Sequence, residues 1–99
     1  MSQPKLLDSA LYALLHKDDI AGFNKARPKD GPIDMRGGDF RGLDLRELNA
    51  RGVDFQNSRL EGASVAHAQI SGAYFPVQLK AAEILMSVQF GTRMRYEPE

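Results

Sequence analysis

Apolar residues recur at every fifth position through the middle of the chain. Cut from Ile33, the sequence reads IDMRG, GDFRG, LDLRE, LNARG, VDFQN, SRLEG, ASVAH, AQISG, AYFPV, which is nine units with no insertion. The central position holds Met35, Phe40, Leu45, Ala50, Phe55, Leu60, Val65, Ile70 and Phe75, and all nine are apolar. In a chain that is 42% apolar, chance gives such a run about four times in ten thousand for one chosen phase. These nine residues are the expected structural core. Asp or Asn precedes the centre at Asp34, Asp39, Asp44, Asn49 and Asp54, and glycine ends the unit at 37, 42, 52, 62 and 72.

A period of five fits neither helix nor plain strand. A helix places apolar residues three or four apart, and a half-buried strand alternates them. A five-residue unit with a recurrent glycine predicts a short extended piece followed by a turn, with the glycine at a φ > 0 position as in a type II turn. Four units, each turning by about a right angle, close a square coil of twenty residues. Successive coils can then pair in parallel at the usual strand spacing. Residues twenty apart stack in this scheme, which sets Asp39 over Arg59, Arg41 over Glu61 and Glu47 over His67.

The pattern resembles the pentapeptide-repeat family, whose unit reads roughly A(D/N)LXX. The resemblance covers residues 33–77. It implies a right-handed quadrilateral β-helix with the central residue pointing inward. The sequence departs from the family pattern in two places. Two residues before the centre, where the family has alanine, it carries Ile33, Gly38, Leu43, Leu48 and Val53, then Ser58, Ala63, Ala68 and Ala73. The Asp/Asn position lapses after Asp54 to Arg59, Ser64, Gln69 and Tyr74. The larger early residues predict a first coil that is wider or covered by another element.

Nine units make only about two and a quarter coils, rising on the order of 11 Å. Such a stub exposes unpaired edges and apolar ends unless they are capped. The flanks supply candidates. Residues 6–16 read as a helix with Asp8 or Ser9 as N-cap and Leu11, Leu14 and Leu15 on one face. Asp18 can cap a second short helix with Ile20 and Phe23 inward, which Pro28 stops before the loop from Arg27 to Pro32. Residues 78–90 read as a helix carrying Leu79, Ile84, Leu85 and Val88 and closed by Gly91, followed by a frayed tail. The expected class is an all-β repeat core, a short right-handed quadrilateral β-helix of about two coils flanked by N- and C-terminal α-helices. One domain, 1–99, is divided into a helical cap over 1–32, the repeats over 33–77 and a helix and tail over 78–99.

Composition narrows the function. Thirteen Lys and Arg balance thirteen Asp and Glu, so the basic surplus of a non-specific nucleic-acid binder is missing, and so is the surplus of an acidic DNA mimic. The absence of cysteine removes disulfides, zinc thiolates and thiol catalysis and suits a reducing cytoplasm. No apolar run reaches the roughly 18 residues that span a bilayer, and charges break the N-terminal stretch that a signal peptide would need.

Candidate chemistry is sparse. His16 and His67 have no second ligand at metal spacing, Asp18–Asp19 reads as a helix cap, and MRGGDFRG lacks the context of a phosphate loop. Arg36, Arg41, Arg46 and Arg51 would ring the coil, interleaved with carboxylates, as a solvated surface. No catalytic, cofactor-binding or metal residue is expected. Ile84, Leu85, Val88, Phe90, Met94 and Tyr96, with Met86, form the candidate partner or dimer surface. The expectation is a non-catalytic cytoplasmic module that binds a protein partner or itself, with a homodimer favoured over a monomer and neither membrane nor nucleic acid as partner. The family resemblance also implies a rival role, modulation of DNA gyrase by DNA mimicry as in quinolone resistance, which calls for a longer and more acidic rod.

Overall fold

The computed structural model describes residues 8–29 and 32–96. Residues 6–7 of the expected first helix, Asp30 and Gly31 of the loop, and the end of the tail lie outside them. Five elements follow in order: α1 (Ser9–His16), α2 (Ile20–Ala26), β1 (Ile33–Asp34), β2 (Val53–Asp54) and α3 (Ala81–Phe90).

The repeat is built from one turn used eight times. The carbonyl of each central residue accepts from the amide three residues on, from Gly38 N to Met35 O at 3.2 Å through to Ala73 N to Ile70 O at 3.0 Å. The third residue of each turn is left-handed, with φ +77 at Gly37, +71 at Gly42, +70 at Gly52, +77 at Gly62 and +71 at Gly72. The second residue is not, which makes these type II turns. Glu47, Asn57 and His67 occupy the same position at φ 61, 60 and 57, so geometry holds where glycine is absent. The Asp/Asn position has a local task as well. Asp34, Asp39, Asp44, Asn49 and Asp54 each accept the amide two residues ahead through Oδ1, at 2.9 to 3.3 Å. In the first four turns these side chains take the amide just before the one that donates to the neighbouring coil, as Arg36 N and Gly37 N illustrate.

Every parallel pairing joins residues twenty apart. β1 and β2 pair Ile33 with Val53 and Asp34 with Asp54. Single bridges continue at Asp39–Arg59, Asp44–Ser64, Asn49–Gln69 and Asp54–Tyr74. The amides of Phe40 and Leu45 reach the carbonyls of Arg59 and Ser64, both at 2.7 Å, and those of Arg59 and Ser64 return to Gly38 and Leu43. The chain therefore has a β-helix-type fold.

Met35, Phe40, Leu45, Ala50, Phe55, Leu60 and Val65 are buried. Phe55 and Phe75 stack with centroids 5.6 Å apart, Phe40 meets Phe55 edge-on at 5.4 Å, and Tyr12 of α1 meets Phe40 at 5.4 Å. The two later members differ from expectation, since Ile70 and Phe75 are only half-buried. The C-terminal segment crosses above residues 58–67 and leaves their side uncovered. Gly38 makes room for the aromatic file, because a Cβ there would sit 2.7 Å from the Phe40 ring and 3.1 Å from Tyr12. The early large residues Ile33, Leu48 and Val53 join the same core as Leu11, Leu15 and Phe23, so the N-terminal helices cover the first coil.

Side chains from those helices replace a missing coil below. Tyr12 Oη accepts from Asp39 N at 3.0 Å and donates to Asp39 O at 3.3 Å. His16 Nε2 donates to the same carbonyl at 2.7 Å. Asn24 Oδ1 accepts from Asn49 N at 2.7 Å and its Nδ2 donates to Glu47 O, while Arg27 donates to Asn49 O at 2.7 Å. Asp8 caps α1, and Asp19 rather than Asp18 caps α2 by accepting from Gly22 N, because Asp18 takes the left-handed turn at φ 61.

The upper end corrects two expectations. α3 starts at Ala81, with Leu79 in the turn before it, and Gly91 closes it at φ 74. The tail is not frayed through Tyr96. Gly62 N donates to Met94 O and Met94 N to Ala63 O, both at 2.8 Å, and Tyr96 Oη accepts from Leu60 N and donates to Ser58 O, both at 2.9 Å. Ser87 Oγ accepts from Val65 N and Val88 O from His67 N. The segment acts as a partial third coil, which an apolar-period search cannot see because it borrows a helix and a phenol.

Two substitutions test this packing. Phe55→Ala removes a buried aromatic and should cost about 3–5 kcal/mol in denaturant unfolding. Tyr96→Phe keeps the ring but strands the Leu60 amide and should cost about 1–3 kcal/mol. A near-neutral result for either would contradict the packing described.

Candidate functional site

The surface is organised by ion pairs within a coil. Arg36, Arg41 and Arg46 each fold back on the carboxylate two residues earlier, at 2.9 Å to Asp34, 2.8 Å to Asp39 and 2.7 Å to Asp44. Arg59 pairs in the opposite order, with Glu61 two residues later, at 3.3 Å. Asp39 does stack on Arg59 through the backbone, but the ion pairs that stacking suggested across coils, Asp39 to Arg59 and Arg41 to Glu61, give way to these local ones. The turn puts positions two apart on the same corner with both side chains outward, and the carboxylate already lies against the arginine amide. Arg36 also reaches Asp54 at 3.9 Å, so it sits between the stacked like charges Asp34 and Asp54.

These contacts move the titrations. The Arg41 side chain, and then its amide, hydrogen-bond Asp39 and hold its carboxyl well below the usual range. Arg46 lowers Asp44 through its side chain, partly opposed by burial. Arg36, Arg41 and Arg46 are raised in return by the same hydrogen bonds. Burial pushes the Tyr96 phenol up, while its bond from the Leu60 amide acts the other way. Arg51 is different. Asn49 stands where the others have Asp, and the Arg51 guanidinium has no hydrogen-bond or carboxylate partner among the described residues.

The remaining candidates fall apart in space. His16 is a ladder cap beside Tyr12 and Phe40, and His67 is an exposed turn residue. Among the described residues no group of three His, Cys, Asp or Glu could hold a metal ion. MRGGDFRG supplies two of the type II turns. No helix among the described residues is long and apolar enough to cross a membrane.

The expected partner surface divides. Ile84 and Met94 are in the core and Val88 and Tyr96 are half-buried against it, because α3 turns this face onto the last coil and the tail folds back. Leu85, Met86 and Phe90 face solvent at 54%, 45% and 74% exposure. Val77 and Tyr74, which sequence reasoning did not single out as surface, are also exposed. Their signal was present, since Tyr74 fills the outward Asp position and Val77 lies beyond Pro76, where the turn series ends.

Residues 34–75 match the family model for pentapeptide repeats in eight copies, so this segment is a pentapeptide-repeat array. The eight copies agree with the eight type II turns, and in the ninth unit, AYFPV, the turn is displaced by one residue, with Leu79 N donating to Pro76 O at 3.0 Å. Neither the curated proteins nor the solved structures contain a match to the chain.

The lowered Asp44 titration gives a signed prediction. A carboxylate lowered on folding contributes stability above its unfolded value near pH ~4 and loses it as pH falls through the folded value. In an NMR pH titration Asp44 should titrate below an ordinary aspartate, and Arg46→Gln should move it back up. An unchanged midpoint in that variant would contradict the assigned cause.

Proposed function

We propose that the chain is a non-catalytic protein-interaction module whose first partner is a second copy of itself. Its frame is a right-handed quadrilateral β-helix of about two coils within one capped domain. Four five-residue units between stacked residues support the four sides, and the general right-handedness of parallel crossovers supports the hand. Pentapeptide repeats are in general a non-catalytic scaffold, and flat outer faces with a filled interior suit contact more than chemistry. A cysteine-free chain suits the cytoplasm.

The observation that carries the reading is the outer face of α3. Its one charged residue, Glu83, is tied to Arg95 at 3.2 Å, and the face beyond it presents Leu85, Met86 and Phe90 to solvent. A helix apolar on both sides calls for cover on both. A second copy offers the same apolar face, zero net charge brings no long-range repulsion, and two such helices can meet about a two-fold axis. The rival reading, gyrase modulation by DNA mimicry, is weakened by the ring of Asp–Arg pairs, which neutralises the carboxylates such a mimic would display.

Sedimentation of the full chain at micromolar concentration should show a species of twice the chain mass. Phe90→Glu should weaken the dimer by about thirtyfold or more, as expected for a central aromatic anchor, without changing the melting temperature of the fold. A monomer at that concentration, or a dimer indifferent to Phe90→Glu, would contradict the proposal.

A further inference from the structure

The chain has no cysteine, so its most readily oxidised side chains are its four methionines. Packing separates them. Met35 is the first repeat centre and Met94 the buried residue of the C-terminal segment, and both have 0% exposure. Met1 lies outside the described residues. Met86 is 45% exposed. A thioether reacts where a peroxide can reach its sulfur, so Met86 is the open target among the described residues.

Its position gives that chemistry a consequence. Met86 shares the outer surface of α3 with Leu85 and with Phe90, which lies one turn further on. None of the three belongs to the core or packs against it. The opposite face of the same helix holds the fold, through Ile84 in the core and Ser87 Oγ, which accepts from Val65 N at 2.9 Å. A chemical change at Met86 therefore alters the contact face and leaves the ladder intact.

We infer that Met86 is an oxidation switch on self-association through α3, an inference that rests on the second-copy reading above. Hydrogen peroxide is the oxidant. The sulfur lone pair forms an S–O bond as the O–O bond breaks. The thioether is oxidised to the sulfoxide, and the departing hydroxide takes the proton from the transferred oxygen and leaves as water. The sulfoxide replaces a flexible apolar end with a polar one. Its oxygen must shed water to enter an apolar contact, and a two-fold axis brings it in twice. The monomer exposes the sulfur and the dimer shields it, so oxidation draws on the monomer and holds it there.

The test treats the full chain with hydrogen peroxide and locates the added oxygen by peptide mass spectrometry. Met86 should take it up before Met35 and Met94, and more slowly as chain concentration rises into the dimeric range. Sedimentation of the chain oxidised at Met86 should show the dimer weakened about tenfold or more, with an unchanged melting temperature, and methionine sulfoxide reductase should restore it. Met86→Gln, which places a polar amide at that point without an oxidant, should weaken the dimer in the same way. A dimer that persists after Met86 is oxidised, a Met86→Gln dimer as tight as that of the unmodified chain, or reaction of Met35 or Met94 as fast as Met86 would overturn the switch alone. An untreated chain that sediments as a monomer would overturn self-association as well.

Discussion

The hydrogen-bonded ladder between residues twenty apart is the constraint from which the rest of this structure follows. Each coil presents amides and carbonyls along the stack, and a buried group of this kind must find a partner. Between the first and second coils the next coil supplies it, as Phe40 and Arg59 illustrate. At the two ends no further coil exists, and a bare edge would invite pairing with other chains. The N-terminal helices answer with side chains and the C-terminal segment with a mixture of strand, helix and side chain. Tyr12 and Tyr96 are the same device at opposite ends, one phenol that accepts an amide and donates to a carbonyl.

The ladder also explains the surface. It fixes the backbone so closely that the Asp/Asn position is free only to cap its own turn and to meet the arginine two residues on. One residue type then closes the turn and balances a charge. A neutral rod results, with Asn49 as the single substitution among the first five units that keeps the cap but releases its arginine. The apolar outer face of α3 lies at the opposite extreme, being left over once the ladder has taken the inner face of that helix.

Much of this was readable in the sequence, because the repeat writes the same physical requirement many times. The apolar centres, the glycines at left-handed positions and the aspartates before them repeat often enough to reveal the period. The exceptions were less readable. Glu47, Asn57 and His67 are left-handed without the glycine, and only their place at the end of a unit, not their residue type, marks them. Tyr12, Asn24 and Ser87 look like ordinary helix residues until an unpaired edge is placed beside them. Ile84 and Leu85 are equally apolar neighbours, and only docking of α3 decides that one is buried and the other exposed. The reach of Arg41 to Asp39 instead of Glu61 depends on which partner the turn has already brought closest.

Cross-hydrogen-bond scalar coupling tests the ladder most directly, because it reports a named donor and acceptor without perturbing the chain. Couplings should appear from the Leu45 amide to the Ser64 carbonyl and from the Phe40 amide to the Arg59 carbonyl, where the structure places both contacts at 2.7 Å. Couplings from these amides to carbonyls about five residues nearer or farther along the chain would contradict the twenty-residue return, and with it the packing, the caps and the surface derived from it.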